Sequence, residues 1–112
     1  MFDGATGLTW QKGGSGIFIN FDQALAYIAQ LNATNYGGYN DWRLPILQEA
    51  MSLMEPKKHG ELYLDPIFDR TQKVIWTVDK ESAGRAWFVN FIIGSCDLVD
   101  VDSGRNVRAV RS

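Results

Sequence analysis

The hydrophobic pattern changes its period near residue 73, and this change limits the fold more than any other feature. Before it, apolar residues recur every three or four positions, which is the spacing of one helix face. The clearest such face consists of Phe21, Ala24, Leu25, Ile28 and Leu31. Asn20 directly precedes this face and Gln23 follows three positions later, which is the spacing of a capping box. These residues predict a helix over 20–32. A second helix is predicted over 46–55, where Pro56 ends it.

After residue 73 the period is two, as in a strand that buries one face. Five strands are predicted, one of them before this change over 6–12 and four after it over 73–79, 85–93, 97–102 and 106–112. In the third of these segments Trp87, Val89 and Phe91 share one face, and they are predicted to lie in the core with Trp76. Late strands joined by short turns predict an antiparallel meander. The sequence therefore predicts one α+β domain over 1–112, with two helices packed on a curled, mainly antiparallel sheet.

Composition and charge exclude several classes of protein. The chain is 46% hydrophobic and contains four Trp, which is enough to build a core. A net charge of -2 offers no basic surface for nucleic acid, and no apolar run is long enough to predict membrane insertion. No secretory leader is predicted at the start of the chain. Cys96 is the single cysteine, so an internal disulfide is excluded.

No residue pattern predicts an enzyme. His59 is the only histidine and lies in a predicted loop, and no motif supports a dyad with Cys96. The glycine-rich stretch 13–16 lacks the Lys and Ser/Thr of a phosphate-binding loop, so a turn is predicted there. Asp65 and Asp69 occur in a Pro-containing turn and are predicted to initiate it. A non-enzyme without a cofactor is the prediction.

One acidic segment keeps a metal hypothesis open. Asp97, Asp100 and Asp102 supply the hard oxygen ligands that calcium prefers, and Gly104 permits a tight turn after them. Their spacing is not that of the helix-loop-helix calcium loop. A solvated strand face is the alternative interpretation of the same residues.

Residues 37–45, GGYNDWRLP, predict a rigid connection between the two helices. Pro45 begins the second helix, where its missing N–H has no cost. Arg43 lies between two apolar residues and is predicted to brace the loops through backbone carbonyls or a carboxylate such as Asp41. The tryptophans offer sugar-stacking surfaces, but each lies in or beside a predicted strand, which favours the core. The residues predicted to be structural are Trp10, Trp42, Arg43, Pro45, Trp76, Trp87 and Arg108.

Motifs along the whole chain resemble a known family. They are D-x-x-T-G-L-T-W (3–10), A-x-x-Y…L (24–31), GGYNDWRLP…E (37–49), IWT (75–77), AWFVNF (86–91) and VRAVR (107–111). This set resembles a bacterial family of domains of unknown function typified by the C-terminal domain of the Legionella collagen-like adhesin. The resemblance implies a C-type-lectin-like fold and a secreted or cell-surface binding module. The adhesin's version recognises sulfated polysaccharides.

Three positions depart from the pattern of that family. Family members often carry cysteines where this chain has Ile28 and Ala109, so their joint replacement implies a lost disulfide and predicts that the two residues are in contact. The usual Thr after RLP is Ile46, which removes a capping hydroxyl, while Glu49 is kept. A pI of about 5.2 is also a poor match to a surface that binds polyanions.

Two classes of function follow from these observations. The first is a non-catalytic ligand-recognition module that binds carbohydrate or a protein partner through loops of the late sheet. Its predicted contacts are Arg85, Asn90, Asp100, Asp102 and Arg105. The alternative is a structural or oligomerisation domain of a longer surface protein, and homo-oligomers are compatible with either class. An enzyme is a third class, because the wider C-type-lectin-like group includes formylglycine-generating enzymes, but those need catalytic cysteines or a metal.

Overall fold

A computed structural model describes residues 1–112 and shows two helices and two three-stranded antiparallel sheets. The elements are β1 (Phe2–Asp3), β2 (Leu8–Trp10), α1 (Phe21–Ala33), α2 (Leu47–Ser52), β3 (Val74–Ser82), β4 (Arg85–Asn90), β5 (Ser95–Asp100) and β6 (Val110–Arg111). The sheet orders are β1-β2-β6 and β3-β4-β5. The predicted α+β class is therefore confirmed. Neither helix is long and apolar enough to cross a membrane.

The late meander contains three strands rather than four. β3, β4 and β5 pair in sequence order, as predicted. The prediction that 106–112 continues this sheet is wrong, because β6 pairs with β2, with Val110 opposite Trp10. Between β5 and β6 the chain pairs Arg105 with Ile19 and Asn106 with Ile75. Residues 106–110 are all buried, so this segment runs through the interior of the domain before it enters β6.

Helix α1 begins where the sequence predicts. The Asn20 side chain accepts the N–H of Gln23 at 2.8 Å, and the Gln23 side chain accepts the N–H of Asn20 at 2.8 Å. This reciprocal pair satisfies two amides at the helix start. The predicted face is buried apart from Leu25, which is 45% exposed at the edge of that face.

Helix α2 is shorter than predicted, because its last amides bond to carbonyls three residues back and tighten the chain into a turn. The Glu49 carboxylate accepts the N–H of Ile46 at 3.0 Å. Asp79 of β3 accepts the N–H of Leu47 at 2.9 Å. A carboxylate from the sheet therefore caps the helix in place of the hydroxyl that Ile46 lacks.

The β3-β4-β5 sheet separates two buried clusters. Ala86 and Phe88 face the cluster that contains α1, while Val89 lies in the other. Strand β4 is thus buried on both faces. Trp87 is only half-buried, so the prediction that it lies in the core is wrong. Trp76 and Phe91 are fully buried, as predicted.

The residues that replace the family's cysteines lie in one buried cluster. Ile28 is 9% exposed and Ala109 is fully buried, and both belong to the apolar cluster around α1. Apolar packing therefore surrounds both positions, for which the resemblance implies a disulfide in other members of the family, and their direct contact stays a prediction.

Arg43 is braced by a carboxylate, which is one of the two kinds of partner predicted for it. Its Nη1 lies 2.7 Å from Glu49 Oε1 and its Nη2 lies 2.9 Å from Oε2, so the carboxylate is that of Glu49 rather than that of Asp41. Asp41, the other predicted partner, pairs with Arg111 at 2.6 Å. The arginine that bonds carbonyls from the interior is Arg108, which is fully buried.

The ion pair of Arg43 and Glu49 predicts a dependence of stability on pH. Hydrogen bonds from Arg43 hold the pKa of Glu49 below its ordinary value of 4.5. This contribution to stability is complete above that value and is lost as the pH falls through the lowered folded pKa. We expect Glu49→Gln to lower the free energy of unfolding by about 0.5–1 kcal/mol at neutral pH, because the pair is partly exposed. Denaturant unfolding at pH 7 and pH 3 measures it, and an equal loss at both would contradict it.

Gly14 is required by close packing. A Cβ at this position would lie 2.2 Å from the carbonyl oxygen of Val107 and 2.5 Å from Cγ of Gln72. Gly13 has no heavy atom within 4 Å of such a Cβ and provides a matched control. We expect Gly14→Ala to lower the free energy of unfolding by about 2–3 kcal/mol, and Gly13→Ala by less than about 1 kcal/mol. Urea denaturation compares them, and coincident midpoints would show that the backbone yields without cost.

Candidate functional site

The residues predicted as ligand contacts do not form one site. Arg85 lies opposite Asp100 in the strand register, at one end of the β4–β5 hairpin, and Asn90 lies at the other end. Five residues of extended strand separate the two ends by roughly 17 Å. Arg85 pairs with Glu81 at 3.2 Å, and the Asn90 side chain accepts the N–H of Ile92 at 2.9 Å. Both side chains thus have local partners.

The remaining two predicted contacts lie near the end of β5. Asp102 is exposed in the turn that follows the strand. Arg105 is partly buried, with its guanidinium 4.2 Å from the centre of the Phe88 ring, and its Nη1 donates to Gly104 O at 2.6 Å. Burial lowers the pKa of Arg105. This arginine packs against the domain with its aliphatic stem and ring contact.

The acidic segment does not gather its carboxylates. No group of three or more His, Cys, Asp or Glu side chains lies close enough to hold a metal ion. Asp97 and Asp100 are three residues apart on β5, so they point to opposite faces of the strand. The Asp97 carboxylate also accepts the N–H of Leu98 at 2.8 Å. The geometry therefore does not bring Asp97, Asp100 and Asp102 together around calcium.

An open groove of about 730 Å³ is formed by different residues. It is lined by 16–18, 59–62 and three of the residues in 70–73, together with Asn106. None of the five predicted ligand contacts lines this groove. The sequence carried one signal for it, since Ile17 and Phe18 are consecutive apolar residues directly after the glycine-rich turn. In the structure these two side chains are 66% and 67% exposed and form an apolar lip.

Arg70 is held in the groove wall by backbone carbonyls. Its Nη1 donates to Leu64 O at 3.0 Å and to Asp65 O at 3.2 Å, and its Nη2 donates to His59 O. A guanidinium has five N–H donors, so the Nε–H and one Nη2–H remain without a protein partner. No carboxylate forms an ion pair with Arg70. The groove therefore contains a fixed positive charge with donors to spare.

The other charged groups of the groove are loosely paired. Lys73 Nζ lies 3.8 Å from Glu61 Oε2, and both side chains are substantially exposed. His59 Nε2 lies 3.4 Å from a carboxylate oxygen of Glu55. Since the opposite charges of Lys73 and Glu61 cancel, Arg70 supplies the excess positive charge of the groove.

Asn106 lines the groove from the interior. It is 2% exposed, and its backbone joins β3 through hydrogen bonds with Val74 and Trp76. Its Nδ2 donates to Ile17 O at 3.2 Å, which ties the apolar lip to the protein. Its Oδ1 is buried without a hydrogen-bond partner. A buried acceptor left unpaired costs about 1–3 kcal/mol.

A second, more apolar cleft of about 460 Å³ lies between α1, the segment before α2 and β3. Leu25, Ile46 and Val78 contribute exposed apolar side chains from these three elements. Arg43 and Glu49 line it as well, and their ion pair is internal to the domain.

The fold and the groove together describe a small mixed α+β domain with an open groove lined mostly by polar residues and glycine. The chain belongs to the Lcl C-terminal domain family, whose sequence model matches residues 1–111. This match confirms the resemblance found in the sequence motifs and places the domain in a family from bacteria. No curated protein matches the chain at a significant level.

Proposed function

We propose that this chain is a non-catalytic ligand-recognition domain of a secreted or cell-surface bacterial protein, and that its groove binds carbohydrate. The proposal rests on the environment of Arg70. Three backbone carbonyls hold its guanidinium in place, and two of its N–H donors remain free beside the exposed apolar lip. Binding sites typically combine a few fixed polar groups with apolar surface in a concavity. Membership of the family supports the finer proposal that the fold is C-type-lectin-like.

The chemistry of a sugar ring suits this groove. A sugar presents hydroxyl groups at its edge and C–H groups on its faces. The hydroxyls match the donors of Arg70 and Lys73, and the exposed ring of Phe18 offers a flat apolar surface for a C–H face. We place the ligand here rather than at the β4–β5 hairpin, because the polar side chains of that hairpin are spread over both ends.

The proposal is non-catalytic because the groove offers no nucleophile activated by a base. Its histidine, His59, pairs with the partly exposed Glu55. Cys96 lies in β5 and packs against a buried cluster away from the groove lining.

Substitution of Phe18 in the apolar lip tests the proposal. Phe18→Ala removes the stacking surface, and Ile93→Ala is a matched control because Ile93 is 68% exposed and lies outside the groove. On a glycan array we expect binding by the wild-type domain, a loss of about tenfold in affinity for Phe18→Ala, and no loss for Ile93→Ala. Equal binding by both variants would place the ligand elsewhere, and an array without any bound glycan would reject carbohydrate recognition.

A structural or oligomerisation role is the second candidate function. The apolar cleft near Val78 favours it, because exposed apolar surface from three elements is typical of contact sites. Sedimentation equilibrium of the wild-type domain and of Val78→Glu tests this role. A concentration-dependent oligomer that Val78→Glu dissociates would support it, and a wild-type monomer would exclude self-association through this cleft.

A further inference from the structure

We propose that the carbohydrate bound in the groove carries one carboxylate, as a uronic acid does, and that this carboxylate pairs with Arg70. The inference depends on the proposed function, since it names the chemical class of the ligand for the same groove. Its basis is the difference between Arg70 and the other arginines of the domain.

Every other arginine has a charged or aromatic partner within the domain. Arg43, Arg85 and Arg111 each form an ion pair with a carboxylate. Arg105 and Arg108 lie over phenylalanine rings. Arg70 alone has neither, although its side chain is partly buried and lines an open groove. A carboxylate of a bound ligand would form an ion pair with Arg70, as Glu49 does with Arg43.

The guanidinium of Arg70 is already ordered for such a contact. The hydrogen bonds to His59, Leu64 and Asp65 fix its plane, so little side-chain freedom is lost when a ligand binds. The two remaining N–H donors are the number that a carboxylate accepts in a bidentate pair. A neutral hydroxyl group would use them less well, because it carries no charge.

The surroundings of Arg70 favour one negative charge over many. Glu61 stands beside Lys73 in the groove, and Glu55 stands beside His59. A polyanion laid along the groove would meet the Glu61 carboxylate as well as Arg70, and the chain as a whole has a net charge of -2. A single carboxylate on a ring that contacts Phe18 avoids this repulsion.

Ligand pairs that differ only in charge test the inference. The ¹⁵N-labelled domain is titrated with D-glucuronate and D-galacturonate, and with the two corresponding uronamides, which keep the ring but not the charge. We expect at least one uronate to bind about tenfold or more tightly than its amide and to shift the Arg70 Nε–H resonance. Uronamides that bind as tightly as uronates would overturn the inference. Tighter binding of glucose 6-sulfate or of N-acetylphenylalanine would overturn it in favour of a sulfate or a peptide carboxylate.

Protein variants provide an independent readout. Arg70→Lys keeps the charge but not the planar fork, and we expect it to weaken uronate binding about tenfold and uronamide binding by a smaller factor. Because Arg70 also supports the loop, Lys73→Gln serves as a second variant outside the carbonyl network, and we expect a smaller loss of uronate binding. If neutral sugars bind the groove as tightly as uronates, only this inference fails. If no saccharide binds, the proposed function fails with it.

Discussion

Replacement of Arg108 by alanine is expected to lower the free energy of unfolding by about 3–5 kcal/mol, because it leaves the carbonyl of the buried residue Gln11 without a donor and opens a cavity at a fully buried side chain. Arg108 is fully buried, and its guanidinium donates to Gln11 O at 2.9 Å, to Lys12 O, and to Asp69 O at 2.9 Å. Burial lowers its pKa to about 10. One side chain thus joins the segment after β2 to the turn before β3.

Two variants make this expectation specific. Arg108→Lys is expected to recover little stability, since an ammonium group cannot reach three separately placed carbonyls as a planar fork does. Arg85→Ala removes an exposed arginine and is expected to change the free energy of unfolding by no more than about 0.5 kcal/mol. Urea unfolding of the three variants measures these differences. If Arg108→Ala and Arg85→Ala unfold at the same midpoint, Arg108 is not the internal brace described here.

Replacement of Trp76 by alanine is expected to cost about 3–5 kcal/mol, as large truncations in a core do. Trp76 is fully buried, its ring meets the Phe21 ring edge to face at 5.6 Å, and its Nε1–H donates to Ile19 O at 2.8 Å. The substitution therefore leaves a cavity under α1 and removes one of the two donors to Ile19 O, which keeps the N–H of Arg105. Trp87→Ala, one strand away and half-buried, is the matched control and is expected to cost clearly less. A larger loss for Trp87 than for Trp76 in thermal and urea unfolding would contradict this account of the core.

Local chemistry made much of the fold predictable. Asn20 and Gln23 predict the start of α1, since their capping bonds involve residues only three positions apart. The alternation over 73–102 predicts the three-stranded meander, because hairpin partners follow each other along the chain. The partner of β6 was not predictable in this way. It is β2, about a hundred residues earlier, and periodicity carries no information about so distant a pairing.

The roles of individual arginines were less predictable than the elements that carry them. Arg43 and Arg108 both lie between apolar neighbours, which predicts a structural role for each. Which guanidinium is buried depends on carbonyls from Gln11 and Asp69, and the folded chain alone brings these to Arg108. Arg43 remains near the surface, where Glu49 from the following helix reaches it.

The groove was not predictable, because it is assembled from distant segments. Residues 16–18, 59–62 and 70–73 occur in stretches without regular secondary structure, and no spacing links them. The hairpin of β4 and β5 was the natural prediction for a binding surface, but its polar residues separate to opposite ends. Ile17 and Phe18 are the one trace of the groove in the sequence, and their exposure is evident only in the folded chain.

The central claim is that the ligand binds in the groove. A chemical-shift map of the ¹⁵N-labelled domain tests it directly, with the saccharide that binds most tightly on the glycan array as the ligand. We expect the amide shifts to concentrate at the residues that line the groove, which are 16–18, 59–62, Arg70, Thr71, Lys73 and Asn106. Shifts centred on Arg85, Asp100 and Asp102, or on the cleft around Val78, would contradict it and move the site away from Arg70.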